Sequence, residues 1–325
     1  MIHVGILALE NCMQSSVTGP FDLLSVASLE WQRRFPGEKK DLFHPMIITD
    51  DGSKVTCFNG ITLSPQMGKE ECGALDILFI PVVYGRLDPI LSNRSLIDWL
   101  REQHKKGTCI CAVCAGVFLA AETGLLDNRQ ATTHWHLAAD FQKRYPKVIL
   151  KPEKMIVDAG DFITAGGVTA YMDLALYITG RFGSLELASG LSKALLIDPA
   201  RRLQTPYTAF DFNLSHGDEN ILKVQHWMET HYTDTVFVLD LAKTAGLEPR
   251  TFARRFKRAT GDTPLEYLQH LRIGKARTLL ETTPDPVDAI TWATGYEDIS
   301  SFRRLFKKST GLSPTAYRKK FSLLH

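Results

Sequence analysis

None of the six cysteines of this 325-residue sequence lies beyond position 114: they are Cys12, Cys57, Cys72, Cys109, Cys111 and Cys114. A disulfide-stapled secreted protein would not crowd its cysteines into one third of the chain, so a reducing cytoplasm is expected. Long apolar runs are missing too. Nothing approaches the ~20 residues that span a bilayer, and no membrane segment is expected. The opening Met1-Ile2-His3-Val4-Gly5-Ile6-Leu7-Ala8-Leu9 has no basic stretch or peptidase site and reads as a first β-strand rather than a leader. Cys111-Ala112-Val113-Cys114 has C-x-x-C spacing but lies in an apolar strand pattern with no second Cys/His pair, so neither a metal nor a cofactor is expected.

A charge excess of one sign is absent overall, the net value being +2, but it appears when the chain is divided. From Val236 onward 16 Lys/Arg meet 9 Asp/Glu, an excess of +7, while the preceding residues carry 22 against 27. A basic end on a mildly acidic body is the footprint of nucleic-acid binding by one domain. The length also exceeds what a single core organises, so two domains are expected.

Up to Ala194, short apolar runs alternate with amphipathic stretches, the pattern of a mostly parallel sheet covered by helices on both faces. Strands are predicted at 4–9, 44–49, 77–82, 108–112 and 162–165. Helices are predicted at 19–31, 91–105, 115–123, 135–145 and 168–182. The first domain is expected to occupy 1–195, an aperiodic linker with two prolines 196–218, and an all-α domain 219–325.

The second domain contains a repeat at an offset of fifty residues. Thr251-Phe252-Ala253-Arg254-Arg255-Phe256-Lys257-Arg258-Ala259-Thr260-Gly261 returns as Ser301-Phe302-Arg303-Arg304-Leu305-Phe306-Lys307-Lys308-Ser309-Thr310-Gly311, and Pro264 and Tyr267 return as Pro314 and Tyr317. Before each copy stands a short helical stretch ending in a glycine turn, at Gly246 and Gly295, which completes a helix-turn-helix plan. The phenylalanines are four apart and face a core, leaving the opposite face for DNA. A lone basic helix would read as an ordinary solvated face; its duplication at fixed spacing argues against that.

Residues 220–323 resemble the AraC/XylS DNA-binding domain, in which a long helix, here 264–280, joins two helix-turn-helix units. The resemblance implies that Arg250, Ala253 and Arg254 read bases in the first unit, and Ile299, Ser300, Arg303 and Arg304 in the second. Arginine suits this because its planar fork matches O6 and N7 of guanine. Lys257, Arg258, Lys307 and Lys308 are assigned to phosphates, which position without specifying.

In the first domain an apolar strand runs through Cys109-Ile110-Cys111-Ala112-Val113 into Cys114 and then a small-residue helix, Ala115-Gly116-Val117. A cysteine at such a turn projects its thiol above the sheet, where helix N–H groups can lower its pKa. With Thr18-Gly19-Pro20-Phe21-Asp22 and Thr132-Thr133-His134-Trp135, this segment resembles the PfpI-like branch of the class I glutamine amidotransferase-like fold. That implies a flavodoxin-like α/β domain with Asp22 beside Cys114. The sequence departs from the enzymes of that fold: Val168-Thr169-Ala170-Tyr171-Met172-Asp173 stands where amidotransferases carry His-x-Glu, Ala115 follows the cysteine where hydrolases place His, and Tyr84-Gly85 stand in the loop that is glycine-rich in the enzymes.

Three roles stay open for Cys114: lining an effector pocket, which is preferred, acting as a redox-sensitive thiol, or serving as a nucleophile. The pocket candidates are Asp22, Tyr84, Gly85, Cys114, Ala115, His134 and Trp135, with Asp22 and the rings of Tyr84 and Trp135 suited to a cationic amine. The two resemblances together imply a transcription factor rather than an enzyme. Its expected partners are double-stranded operator DNA, a small nitrogenous effector, RNA polymerase and a second copy of the chain. The alternative is a Cys-dependent hydrolase or amidase, or a thiol redox sensor, fused to a DNA-binding domain.

Overall fold

The apolar runs of the first half become parallel strands because each can be buried on both faces at once. In the computed structural model, which describes residues 1–35, 37, 41–210 and 212–324, they are β1 (Ile2–Leu7), β2 (Phe43–Thr49), β3 (Met67–Gly68), β4 (Ile77–Ile80), β5 (Cys109–Val113), β6 (Ile156–Asp158) and β7 (Phe162–Ala165). They form one sheet in the order β6-β7-β5-β4-β1-β2-β3. Every neighbouring pair is parallel except β6 with β7. All residues of β4 and β5 are buried.

Besides a single turn at Asp88–Leu91, the helices of this unit are α1 (Ser15–Arg34), α2 (Arg94–Lys105), α3 (Gly116–Glu122), α4 (Ala138–Arg144), α5 (Ala170–Ile178) and α6 (Leu185–Ala194). The chain leaves β1 toward β2 in one direction and β4 toward β5 in the other. Right-handed crossovers therefore place α1 on one face of the sheet and α2 on the other, as in a flavodoxin-like fold. Strand order reverses between β1 and β4, so a crevice is expected at their carboxyl ends.

The five predicted strands and five predicted helices are present, with shifted ends. The helix expected over 135–145 starts as a single 3-10 turn, Trp135–Leu137, ahead of α4, and that over 168–182 ends in a π turn at Thr179–Gly183. Strands β3 and β6 were not expected, since two or three residues are too short for a period to show. The expected linker 196–218 is corrected. The chain divides into Met1–Gln204 and Thr205–His325, and residues on each side of that boundary are bonded into their own unit rather than left as a spacer.

The second unit is helical: α7 (Glu219–His231), α8 (Val238–Thr244), α9 (Pro249–Thr260), α10 (Pro264–Thr282), α11 (Val287–Ala293), α12 (Ile299–Thr310) and α13 (Pro314–Phe321). It has two cores. Phe252, Phe256, Tyr267 and Leu271 join Ile221, Val224, Met228 and Leu241 in the first; Phe302, Phe306 and Tyr317 join Ile273, Ala276, Leu280 and Ile290 in the second. The repeat is reproduced in three dimensions. Phe256 meets Tyr267 edge-on at 5.4 Å and Phe306 meets Tyr317 at 5.3 Å. Gly261 and Gly311 close α9 and α12 in the left-handed conformation, and Thr263 and Ser313 cap the helices that follow.

The two turn glycines are not equivalent. Both have positive φ, +64° at Gly246 and +80° at Gly295, but a Cβ on Gly295 would fall 2.7 Å from the backbone of Thr233, whereas one on Gly246 meets nothing within 4 Å. Gly246→Ala is expected to cost about 1 kcal/mol from the left-handed backbone, and Gly295→Ala about 3 kcal/mol or more because the clash adds to the strain. Urea unfolding of the two variants measures the difference; equal costs would refute it.

Candidate functional site

Cys114 sits where β5 gives way to α3, with φ of +55°. A non-glycine residue held there carries strain of order 1–3 kcal/mol and needs surrounding bonds to keep it. Its N–H donates to Ala165 O at 2.8 Å, and its carbonyl accepts the Thr133 hydroxyl at 2.7 Å. The start of α3 lies hard against the end of β4: a Cβ on Gly116 would fall 2.3 Å from Pro81 O. The elbow is therefore imposed by its neighbours.

The thiol is buried, and that burial pushes its pKa up to about 11 despite nearby N–H groups of Ala115 and Gly167. At neutral pH it is protonated. His134 does not compensate. Its Nδ1 accepts the His136 N–H at 3.1 Å, which makes it the cap of the Trp135–Leu137 turn. Burial, with His136 nearby, lowers its pKa and so favours the neutral ring. Among the described residues no hydrogen bond joins His134 to Cys114.

The structure ties several of the sequence-expected pocket residues together. Ala115 is the buried N-cap of α3. Trp135 N–H donates to Gln204 Oε1 at 3.1 Å, and Gln204 Nε2 reaches Thr133 O at 2.8 Å, so the elbow, the Thr-Thr-His-Trp stretch and Gln204 form one bonded wall. Tyr84 and Gly85 lie on the loop after β4. The Tyr84 N–H donates to Asn11 O at 2.9 Å and its half-exposed ring stacks on Phe58 at 4.6 Å.

Asp22 is a correction. The buried side of α1 is Ser16, Val17, Pro20, Leu23, Leu24 and Ala27; Asp22 falls outside that stripe and is exposed. It opens on a cavity of about 570 Å³ lined by Tyr171, Leu195, Leu196 and Asp198, and Cys114 is not among the described residues lining it. The α1 side chain that does reach the end of the central strands is Ser16, whose hydroxyl accepts the Val82 N–H at 3.0 Å and donates to Met13 O at 2.7 Å. The expected meeting of a carboxylate at position 22 with the thiol is not found.

In the helical unit, α9 and α12 each bury two phenylalanines and turn a cationic face outward. Arg250, Arg254, Lys257 and Arg258 are exposed on or beside α9, with Ala253 half-buried among them. On α12, Ser300, Arg303, Arg304, Lys307 and Lys308 are exposed and Ile299 is half-buried. Two arginines of these helices are already engaged. Arg303 donates to Asp288 at 3.0 Å, and Arg255 holds Asp218, the cap of α7, through two bonds of 2.9 and 2.7 Å.

Residues 4–180 match the DJ-1/PfpI family and residues 241–320 a helix-turn-helix domain. The HTH-type transcriptional regulator CdhR of Pseudomonas aeruginosa is 30% identical over 86% of this chain and 82% of its own length. The chain belongs to the AraC-type regulators that carry a DJ-1/PfpI domain. Isonitrile hydratase of Pseudomonas putida is 28% identical over 61% of this chain and 80% of its own. A crystal structure of an AraC family transcriptional regulator from Pseudomonas putida, 21% identical, shares the fold with a TM-score of 0.52, over 60% of this chain and all of that one.

This regulator is a sequence-specific DNA-binding protein, and two residues of its elbow wall, Thr133 and Gln204, escaped sequence reasoning, as did Ser16 on α1. Thr133 belongs to a motif recognised as a whole, Ser16 carries no chemistry by itself, and Gln204 stands in a segment without a period. Thr133→Val is expected to lower stability by about 0.5–1.5 kcal/mol, because it removes the shorter of two hydrogen bonds to the Cys114 carbonyl and leaves only that from the Val117 N–H. Thermal melting reads this. Alkylation of Cys114, followed site by site by mass spectrometry, is expected to be slow at pH 7 and to accelerate toward pH 11, since only the thiolate reacts. A fast reaction at neutral pH would mean that burial does not control the thiol.

Proposed function

We propose that this regulator is switched by a small molecule bound at the Cys114 elbow and that α9 and α12 read two successive stretches of one operator. The observation that carries the reading is the duplicated helix with buried phenylalanines and exposed cations. The effector pocket is assigned to Cys114, Ala115, His134, Trp135, Tyr84 and Gly85. With Asp22 on another face, ring faces and backbone groups, rather than a carboxylate, supply the recognition of a nitrogenous ligand.

Catalysis at the elbow is disfavoured by chemistry: a nucleophile needs a base within reach, and the thiol has a raised pKa with no bond to His134. The relatedness to isonitrile hydratase keeps the enzyme as the alternative. Further proposed features are a homodimer, transcription activation through RNA polymerase, and a cytoplasmic location. The first two rest on family resemblance. The last is supported by six free cysteines and by the absence, among the described residues, of a helix long and apolar enough to cross a membrane.

Binding to a randomised operator library at two salt concentrations tests the DNA reading. Arg254→Ala and Arg304→Ala are each expected to cost about 1–3 kcal/mol on the preferred site and to relax preference at a few adjacent bases, in separate stretches. Lys257→Ala and Lys307→Ala should weaken specific and nonspecific binding alike and flatten the salt slope by about one unit. An equal loss on every sequence for the arginine variants would remove these helices from the major groove.

Cys114→Ser tests the elbow. Operator binding and ligand-dependent transcription are expected to persist, and the purified regulator to show no amidase or glutaminase turnover above background. Loss of regulation in a folded variant that still binds ligand would favour the redox or catalytic alternatives.

A further inference from the structure

The residues that open the second unit are bonded to both helix-turn-helix halves. Arg277, on α10, donates from Nη2 to Pro206 O at 3.0 Å, from Nη1 to Thr208 O, and from Nε to the Tyr317 hydroxyl at 2.8 Å. Phe210 stacks on His270 at 4.2 Å and packs against the second core. Phe212 lies 4.7 Å from the Tyr267 ring and packs against the first. The Asn213 carbonyl accepts from Gln225 Nε2, on α7, at 3.1 Å.

These contacts bridge a weak point. Along α10, Tyr267, Leu268 and Leu271 belong to the first core and Ile273, Ala276 and Leu280 to the second. Gly274 stands beside that changeover, and a Cβ built on it meets nothing within 4 Å. Packing therefore does not demand glycine, and glycine in a helix interior costs about 0.5–1 kcal/mol relative to alanine. The connector is softest near the point where it passes from one half to the other.

We propose that segment 205–210, with Phe212 and Asn213, is a strap that fixes the distance and rotation between α9 and α12 across Gly274, making Phe210, Phe212 and Arg277 determinants of operator spacing that touch no base. The proposal rests on the reading that both helices enter DNA grooves. A recognition helix tolerates little displacement from its base edges, and one inserted base pair shifts a half-site by about 3.4 Å and about a tenth of a turn. A taut pair of reading heads must reject that shift; a slack pair follows it.

The test uses the full-length regulator on its preferred operator and on versions with one base pair inserted or deleted between the two contacted stretches. The unaltered protein is expected to lose about tenfold or more in affinity per shift, a difference of about 1.4 kcal/mol. Phe210→Ala and Arg277→Met should lose only about twofold per shift while keeping the base preferences of each stretch. Gly274→Ala, added to Phe210→Ala, should restore the larger penalty by stiffening the connector. Tyr317→Phe, which removes a bond of Arg277 within the second half and spares the strap carbonyls, should behave as the unaltered protein.

The proposal is overturned if the strap variants, shown by circular dichroism to be folded, keep the full spacing penalty, if Gly274→Ala restores nothing, or if the unaltered protein is indifferent to spacing. Should Phe210→Ala fail to fold, Arg277→Met, with and without Gly274→Ala, carries the same comparison. Loss of base preference already at the native spacing in Arg254→Ala or Arg304→Ala reports on the groove reading, and is separable from the spacing result.

Discussion

A helix that gathers four or more cations on one side stays folded in water only if its other side is held, and in this regulator the hold is a pair of phenylalanines on each of α9 and α12. Phe252, Phe256, Phe302 and Phe306 are completely buried. Each contributes about 1.5–3 kcal/mol relative to exposure, and each pair is backed edge-on by a tyrosine from the next helix. That burial sets the rotation of α9 and α12, and hence which side chains face outward. The glycine closures at Gly261 and Gly311 and the caps at Thr263 and Ser313 follow from the same need: the tyrosine must return to the ring that it packs on.

The first unit solves a different problem. A nucleophile on a strained strand-to-helix turn is the geometry by which α/β-hydrolases expose it, and here a central strand makes such a turn at a cysteine whose thiol burial keeps protonated. The strain is held by Ala165 and Thr133. Among the described residues no base is bonded to the buried thiol, and His134 is occupied as a turn cap. What is left is a bonded wall at the carboxyl end of β5, next to the strand pair where the sheet order reverses.

The strands and the duplicated helices were legible in the sequence because both rest on periodicity: continuous apolar runs for strands buried on both faces, and a four-residue Phe spacing for the helices. Motif matching places Asp22 at the thiol because it ignores helical phase; Pro20, Leu23 and Leu24 turn inward on α1 and carry the carboxylate of Asp22 out. Gln204, Phe210 and Phe212 were hidden for another reason. Their contacts are all tertiary, and a segment without a period looks like a linker whether or not it is bonded. The side-chain amide of Gln204, used by Thr132, Thr133 and Trp135, and the ring contacts of Phe210 and Phe212 distinguish bonded structure from a spacer.

The same distinction applies to charge. The +7 excess of the last ninety residues pointed correctly to DNA, but it does not count phosphate contacts. Arg255 is committed to Asp218, Arg303 to Asp288, Arg272 to the carbonyls of Tyr232 and Asp234, Arg277 to those of Pro206 and Thr208, and Arg318 to that of Asp285. These arginines hold the helices in place, and those paired with backbone keep their charge without pointing it at a ligand. The exposed set on α9 and α12 is smaller, and divides by position: Arg254 and Arg304 occupy the same place in the two copies, as do Lys257 and Lys307 one turn later. The buried phenylalanines therefore set the direction in which these four side chains leave α9 and α12, while the summed charge counts the bonded arginines as well.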